Sequence, residues 1–208
     1  MKAGIIAAGH GARLHASGIT TPKPLVMIAG RSLLARTIDA AKAAGASSVA
    51  CIVNAETDRV RRVLEHEDFG LPIEIVQRTT ASSAESFLAL RQHLEDAPFL
   101  LLTVDAVLAP DATSRLIARA AELPDAAGVL GVTTVVDDEK PLWVELDRHG
   151  RIRSLGDPMR AHHVTAGVYF LKPLVYALAD AARPGAWSAF RMFLASLLEH
   201  DHTLYGWD

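Results

Sequence analysis

One cysteine stands in the 208 residues of this chain, Cys51, inside an apolar run with Val49, Ile52 and Val53. A single cysteine forms no internal disulfide, so a buried core thiol and a reducing compartment are expected. Basic residues are not in excess: Lys and Arg total 21 against 24 Asp and Glu, a formal net charge of -3. A protein that lives on nucleic acid usually carries the opposite balance. No run approaches the roughly 18 apolar residues of a membrane span, and the stretch from Ala3 to Ala8 is too short for a signal peptide. There is no internal repeat, low-complexity tract or dividing linker. The nine histidines form no zinc-ligand set; His162-His163 and His200-x-His202 are the nearest approaches, and surface positions account for them. What remains is half hydrophobic and 22% charged, a globular balance. A chain of this size buries about 70% of its unfolded surface without staples. A soluble cytoplasmic protein is expected, one domain over 1–208, with 1–125 and 126–208 as its two halves.

Strand and helix signals alternate four times in the first 120 residues. Residues 3–8 and 49–53 read as buried strands, and 73–76 and 99–104 as a third and a fourth strand. Ser32, the Ser82-x-x-Glu85 box and Asp111 read as caps of intervening helices, and Gly45 as a helix stop. The helix after Ser82 is expected to run continuously through Phe87, Leu88, Arg91 and Leu94. Around Pro22-Lys23-Pro24 the prolines exclude a regular element. The second half is different, with strands at 129–136, 142–146, 152–155 and 164–171 and helices near 173–180 and 187–199. The expected fold class is α/β: a mainly parallel central sheet with helices on both faces and a mixed second half.

Ligands of such sheets bind beyond the carboxyl ends of the strands. Two stretches land there, the loop after the first strand and Asp105 after the fourth. Gly9 and Gly11 allow a tight turn and present bare N–H groups suited to phosphate oxygens. Arg13 adds a planar fork of donors. Leu14 holds the place of the third glycine of a dinucleotide fingerprint, and Asn54 that of its ribose-binding acid; no Gly-Lys-Ser/Thr closes a P-loop. A turn with glycine for geometry alone is the plain alternative.

The longer pattern is Ile5-Ile6-Ala7-Ala8-Gly9-His10-Gly11-Ala12-Arg13-Leu14, then Pro22-Lys23-Pro24-Leu25 and Ile28-Ala29-Gly30-Arg31-Ser32-Leu33. It resembles the nucleotidyltransferases that activate sugar 1-phosphates, and the resemblance covers most of the chain. It implies a glycosyltransferase-A-like, nucleotide-diphospho-sugar transferase-like fold. The resemblance places Ala7, Ala8, Gly9, His10, Gly11 and Ala12 at the nucleotide, Arg13 on the triphosphate and Lys23 on the reacting phosphates. Asp105 in Leu102-Thr103-Val104-Asp105 takes the place of a magnesium ligand, with Val104 where glycine is usual. Gln77 and Ser82 fall where the base is read, Ser82-Ser83 replacing the family's glycine. Thr165 and Gly167 in Thr165-Ala166-Gly167-Val168-Tyr169 fall where the acceptor lies. The family's Glu-Lys-Pro is replaced there by Gly156-Asp157-Pro158. A second magnesium carboxylate usually follows on a late strand. Either Asp208, in Tyr205-Gly206-Trp207-Asp208, is that ligand, or it lies in a tail absent from this chain.

The implied reaction joins an NTP to a small phosphorylated acceptor, a sugar 1-phosphate by preference, with Mg2+ as cofactor and pyrophosphate released. Phosphocholine and inositol phosphate are other acceptors to consider. Neither nucleic acid nor membrane is an expected partner. No nucleophile–base–acid set is found, and none is needed, because the acceptor phosphate is already an anion. Two other readings stay open: a nucleotide-binding module without catalysis, and a glycosyltransferase of the same fold, although Asp105-Ala106-Val107 lacks the second acid of an Asp-x-Asp motif.

Overall fold

Alternate side chains of a strand point to opposite faces of its sheet, and here both faces are apolar. Along the first strand Ile5 and Ala7 enter one buried cluster while Ile6 enters the other. Along the strand beginning at Phe99, Leu100 and Leu102 join the first cluster, Phe99 and Leu101 the second. A sheet buried on both sides has to be covered by helices on both sides, as parallel sheets generally are.

The computed structural model describes residues 1–208 apart from 10, 12, 13, 15, 57, 137–140 and 184. In chain order its elements begin with β1 (Lys2–Ala7), a 3-10 turn at Lys23–Leu25, the short strands β2 (Met27–Ile28) and β3 (Arg31–Ser32), and α1 (Leu33–Ala43). Next come β4 (Ser48–Val53), α2 (Asp58–His66), β5 (Ile73–Gln77), α3 (Ser83–Ala89), α4 (Arg91–Leu94), β6 (Phe99–Thr103) and α5 (Ala112–Ala121). The second half holds β7 (Gly128–Thr133), β8 (Trp143–Leu146), β9 (Ile152–Leu155), β10 (His163–Leu171), α6 (Tyr176–Ala181), α7 (Phe190–Glu199) and β11 (Leu204–Trp207).

One sheet crosses both halves in the order β11-β7-β10-β6-β1-β4-β5, with the β8–β9 hairpin joined through β10. β6, β1, β4 and β5 are parallel to one another, and β11 is parallel to β7. β10 is inserted antiparallel between β6 and β7. That strand makes the second half mixed. Its register against β7 shifts between Thr165 and Tyr169, and Gly167 sits in the shift at φ +76.

Local signals account for most element ends. Ser32 accepts the Ala35 N–H at 3.1 Å and Ser82 that of Glu85 at 3.1 Å, each opening a helix. Glu85 returns its carboxylate to the N–H of Ala81, one residue before the expected partner. Gly45, at φ +78, follows the end of α1 as expected.

Four expectations need correction. Asp111 makes no side-chain cap, because it already has helical dihedrals and its carboxylate turns 3.6 Å from Arg115. The helix after Ser82 breaks at Leu90, whose N–H bonds back three residues to Phe87; the step keeps Phe87, Leu90 and Leu94 all in the core. Strand 129–136 stops at Thr133, whose hydroxyl takes the N–H of Val135 and leaves Val135 and Val136 exposed. The proline segment does contain a regular turn, since Pro24 lies in its first turn, where the missing N–H has no partner to lose, and the Leu25 N–H closes it on Pro22 at 2.8 Å. Cys51 is wholly buried, and burial pushes its thiol up to about 12. Among the described residues no helix is long and apolar enough to cross a membrane.

Candidate functional site

The carboxyl ends of β1 and β6 lie side by side, since Ile6 pairs with Thr103 in the parallel register. The chain leaves β1 at Ala8 and β6 at Val104, both buried, so the residues that follow emerge together at one rim. Gly9 and Asp105 are the first exposed residues past each strand.

Lys23 reaches the same rim from the proline turn. Its backbone is held between Pro22 and Pro24, with Pro24 buried and the Val26 N–H bonded to the Lys23 carbonyl at 3.1 Å. Its ammonium donates to Oδ2 of Asp105 at 2.6 Å, across 82 residues of sequence. The lysine side chain is 30% exposed and the aspartate 52%, so the pair opens to solvent. Burial alone would push the Asp105 carboxyl up; the Lys23 charge and hydrogen bond, with a hydrogen bond from Thr103, outweigh it and hold the group below the usual carboxylate range.

Gly11 joins this group through the stem of Lys23. It adopts φ +61, a left-handed conformation that favours glycine, and a Cβ there would stand 3.3 Å from Cβ of Lys23. A Cβ on Gly9 would meet nothing within 4 Å, so no described neighbour requires glycine at that position. Ala7 and Ala8 are buried and have only backbone to offer a ligand. His10, Ala12 and Arg13, named with them from the sequence, lie outside the described residues.

Across β6 the rim continues onto β10. A Cβ at Gly167 would fall 2.4 Å from Oγ1 of Thr103 and 3.0 Å from Cβ of Ala106. The Thr103 hydroxyl therefore fills the space that glycine leaves, and it donates to the Gly167 carbonyl at 3.4 Å. Thr165 is tied to Tyr169 by a side-chain hydrogen bond. Burial pushes that phenol up to about 12; the Thr165 bond opposes the shift and the charge of Asp105 adds to it. The structure thus brings Gly11, Lys23, Asp105, Gly167 and Thr165 to one end of the sheet. Thr103 and Tyr169, absent from the sequence-derived site, connect them. The alternation of β6 was the available signal for Thr103, two residues before Asp105.

Three sequence-derived residues stand apart. Gln77 ends β5, two strands outward from β1, and its amide donates to the Ala55 carbonyl at 3.4 Å. Ser82 is occupied as a helix cap and donates to the Trp187 carbonyl at 3.3 Å, while the Ser83 hydroxyl accepts the Phe190 N–H at 2.9 Å. This serine pair joins α3 to the segment before α7. Asp208 follows Trp207, which pairs with Gly131 on β7, so β7 and β10 lie between its strand and β6. Three strand spacings separate the two aspartates' strands, roughly 14 Å.

Among the described residues no three His, Cys, Asp or Glu gather as a metal-holding group. Asp105 is a single carboxylate at the phosphate-facing rim. It fits magnesium of the kind held by one or two carboxylates plus substrate phosphates and water.

With that geometry, the comparisons with known proteins concentrate on one group. The family model of the MobA-like NTP transferase domain matches residues 3–196. Mannose-1-phosphate guanyltransferase of Candida albicans is 28% identical over 191 residues, covering 86% of this chain and 52% of that protein. Glucose-1-phosphate thymidylyltransferase of Streptomyces antibioticus is 28% identical over 189 residues, covering 88% and 53%. The chain spans about half the length of these relatives. The solved inositol-1-phosphate CTP transferase from T. maritima superimposes with a TM-score of 0.84 at 21% identity, covering all of this chain and 84% of that one. At that identity the likeness speaks for the fold, the expected α/β sheet with its mixed second half.

Proposed function

Because the chain belongs to the MobA-like NTP transferase domain family, we propose that it transfers the nucleotidyl group of an NTP to a small phosphorylated acceptor, with release of pyrophosphate. The observation that carries this is the Lys23–Asp105 pair, 2.6 Å apart at the shared rim of β1 and β6 beside the Gly11 turn. Cation, carboxylate and bare backbone meet there where α/β sheets bind ligands. A sugar 1-phosphate is the acceptor of choice: two relatives are named for one, though their names differ in the nucleotide.

In this mechanism an oxygen of the acceptor phosphate attacks the α-phosphorus of the NTP. The bond from that phosphorus to the oxygen bridging toward the β-phosphate breaks, and pyrophosphate departs. No proton has to leave the acceptor, so no general base is required. The protein's work is positioning and charge neutralisation. Gly9 and Gly11 present backbone to the triphosphate, and Lys23 turns its ammonium to the reacting phosphates. Arg13 is assigned to the triphosphate on its sequence position. Magnesium, when bound, would supply Lewis-acid neutralisation of phosphate oxygens, and Asp105 would hold it. Thr165 and the Gly167 backbone border the acceptor, while Gln77 lies at the base end.

The test is pyrophosphate release from each of the four NTPs against sugar 1-phosphates, phosphocholine and inositol phosphate. One NTP–acceptor pair is expected to turn over. Asp105→Asn should abolish most of that activity, a loss of several kcal/mol in transition-state stabilisation, with the melting temperature nearly unchanged. Tight NTP binding without pyrophosphate release from any pair would replace this reading with that of a non-catalytic nucleotide-binding module.

A further inference from the structure

Lys23 and Asp105 cannot serve phosphate and metal while each serves the other. The ammonium sits on Oδ2 of Asp105 at 2.6 Å, and among the described residues it has no other charged partner. A free divalent cation arriving at Asp105 has to displace that ammonium and meets its like charge. Magnesium is also reluctant to give up water, and the carboxylate it meets here is already neutralised by Lys23.

We propose that Lys23 closes Asp105 to free divalent cations, so that the metal enters only as its complex with the nucleotide. This rests on the assignment of Asp105 as a metal ligand in the nucleotidyltransferase reading. The triphosphate opens the site because its charge competes for the ammonium and draws it off the carboxylate. Only the side chain has to move. The Lys23 backbone is fixed by the 3-10 turn and the buried Pro24, whereas its four-carbon stem is flexible and its head is a rotatable three-donor charge. The stem lies against Gly11, so phosphates bound on the glycine turn are within its reach. Lys23 thereby selects the metal–nucleotide complex over either component alone.

Mn2+ is the probe, and its bound fraction is read from the paramagnetic resonance signal of the free ion, without turnover. Wild type, Lys23→Met, Lys23→Arg, Asp105→Asn and the Lys23→Met/Asp105→Asn double variant are titrated, with and without α,β-methylene analogues of the four NTPs. Melting curves confirm that each variant is folded. Without nucleotide, Lys23→Met should bind Mn2+ about tenfold or more tightly than wild type. Lys23→Arg, which keeps the charge, should stay as weak as wild type, and the double variant should lose the gain. Wild type with an analogue should hold Mn2+ beyond what the analogue holds alone, and Asp105→Asn should not. Equal nucleotide-free affinity in wild type and Lys23→Met overturns the closure, even if Asp105 proves to hold the metal when nucleotide is present. If the analogue brings metal onto Asp105→Asn as well as onto wild type, the assignment of Asp105 itself fails.

Discussion

Glycine does different work at Gly9 and Gly167, and the difference can be measured. At Gly9 a methyl group would touch nothing among the described neighbours, and the backbone does not require a left-handed residue. Gly9→Ala is expected to change stability by no more than about 0.5 kcal/mol. It should weaken nucleotide binding, because the methyl stands where phosphate would approach; unchanged NTP affinity in a calorimetric titration would contradict that role. Thr103 is the complementary case, a residue acting through Asp105. Its hydroxyl shares its one proton between the Gly167 carbonyl and the Asp105 carboxylate beside it. Thr103→Val keeps the shape and removes both bonds. Since such a bond contributes about 1 kcal/mol, the metal concentration for half-maximal turnover should rise about fivefold, with Thr103→Ser restoring it. An unshifted metal titration for the valine variant would remove Thr103 from the site.

At the scale of elements, β10 sets the acceptor side of the rim. It runs against the direction of β6 and β7, and its register shift places Gly167 over Thr103. Alanine at 167 has to accept φ +76 and a contact of 2.4 Å with the Thr103 hydroxyl. Gly167→Ala should therefore destabilise by about 2–4 kcal/mol. For a chain of this length that lowers the melting temperature by roughly 5–15 °C. Gly167→Ala/Thr103→Ala should recover part of the loss by removing the hydroxyl, and a double variant no better than the single would place the whole cost in the backbone. The serine pair opening α3 carries the capping box that the sequence shows. Ser82 falls where the resemblance expects a base contact, yet its hydroxyl caps the helix and meets the Trp187 carbonyl.

At the scale of the molecule, four carboxylates among the described residues are held below their usual 3.8. Arg61 and Arg62 depress Asp58, and Arg91 depresses Asp180. For Asp105 and Asp147, burial pushes upward but is outweighed by Lys23 in one case and by the His149 and Arg151 N–H groups in the other. A depressed folded value means that the unfolded chain binds more protons as the solution acidifies. This stability is complete above about pH 4 and is lost as the pH falls through the folded values. The melting temperature should fall steeply below pH 4, and an Asp105→Asn/Asp147→Asn variant should show a shallower slope. A slope identical to wild type would mean that these two groups do not carry the acid sensitivity.

The amino-acid order alone was enough for what depends on neighbours within a few residues. Apolar runs gave β1, β4, β5 and β6, Ser32 opened α1, and Gly45 followed its end, because strand burial and helix caps are local matters. The glycine turn and Asp105 were legible as positions at the rim, since each follows a strand end whose direction is set by the βαβ pattern, whereas Lys23 was named through the family resemblance alone. The tertiary structure decided what depends on distance across the sheet. Nothing in the sequence around Lys23 and Asp105 says that two residues 82 positions apart come to 2.6 Å. Nor does the Trp207-Asp208 sequence reveal that β7 and β10 stand between its strand and β6. A strand's sequence specifies which of its faces are apolar, but its place in the sheet is settled by packing against chains remote in sequence. That packing put the Thr103 hydroxyl in the space left by Gly167 and kept Asp208 three strands from Asp105.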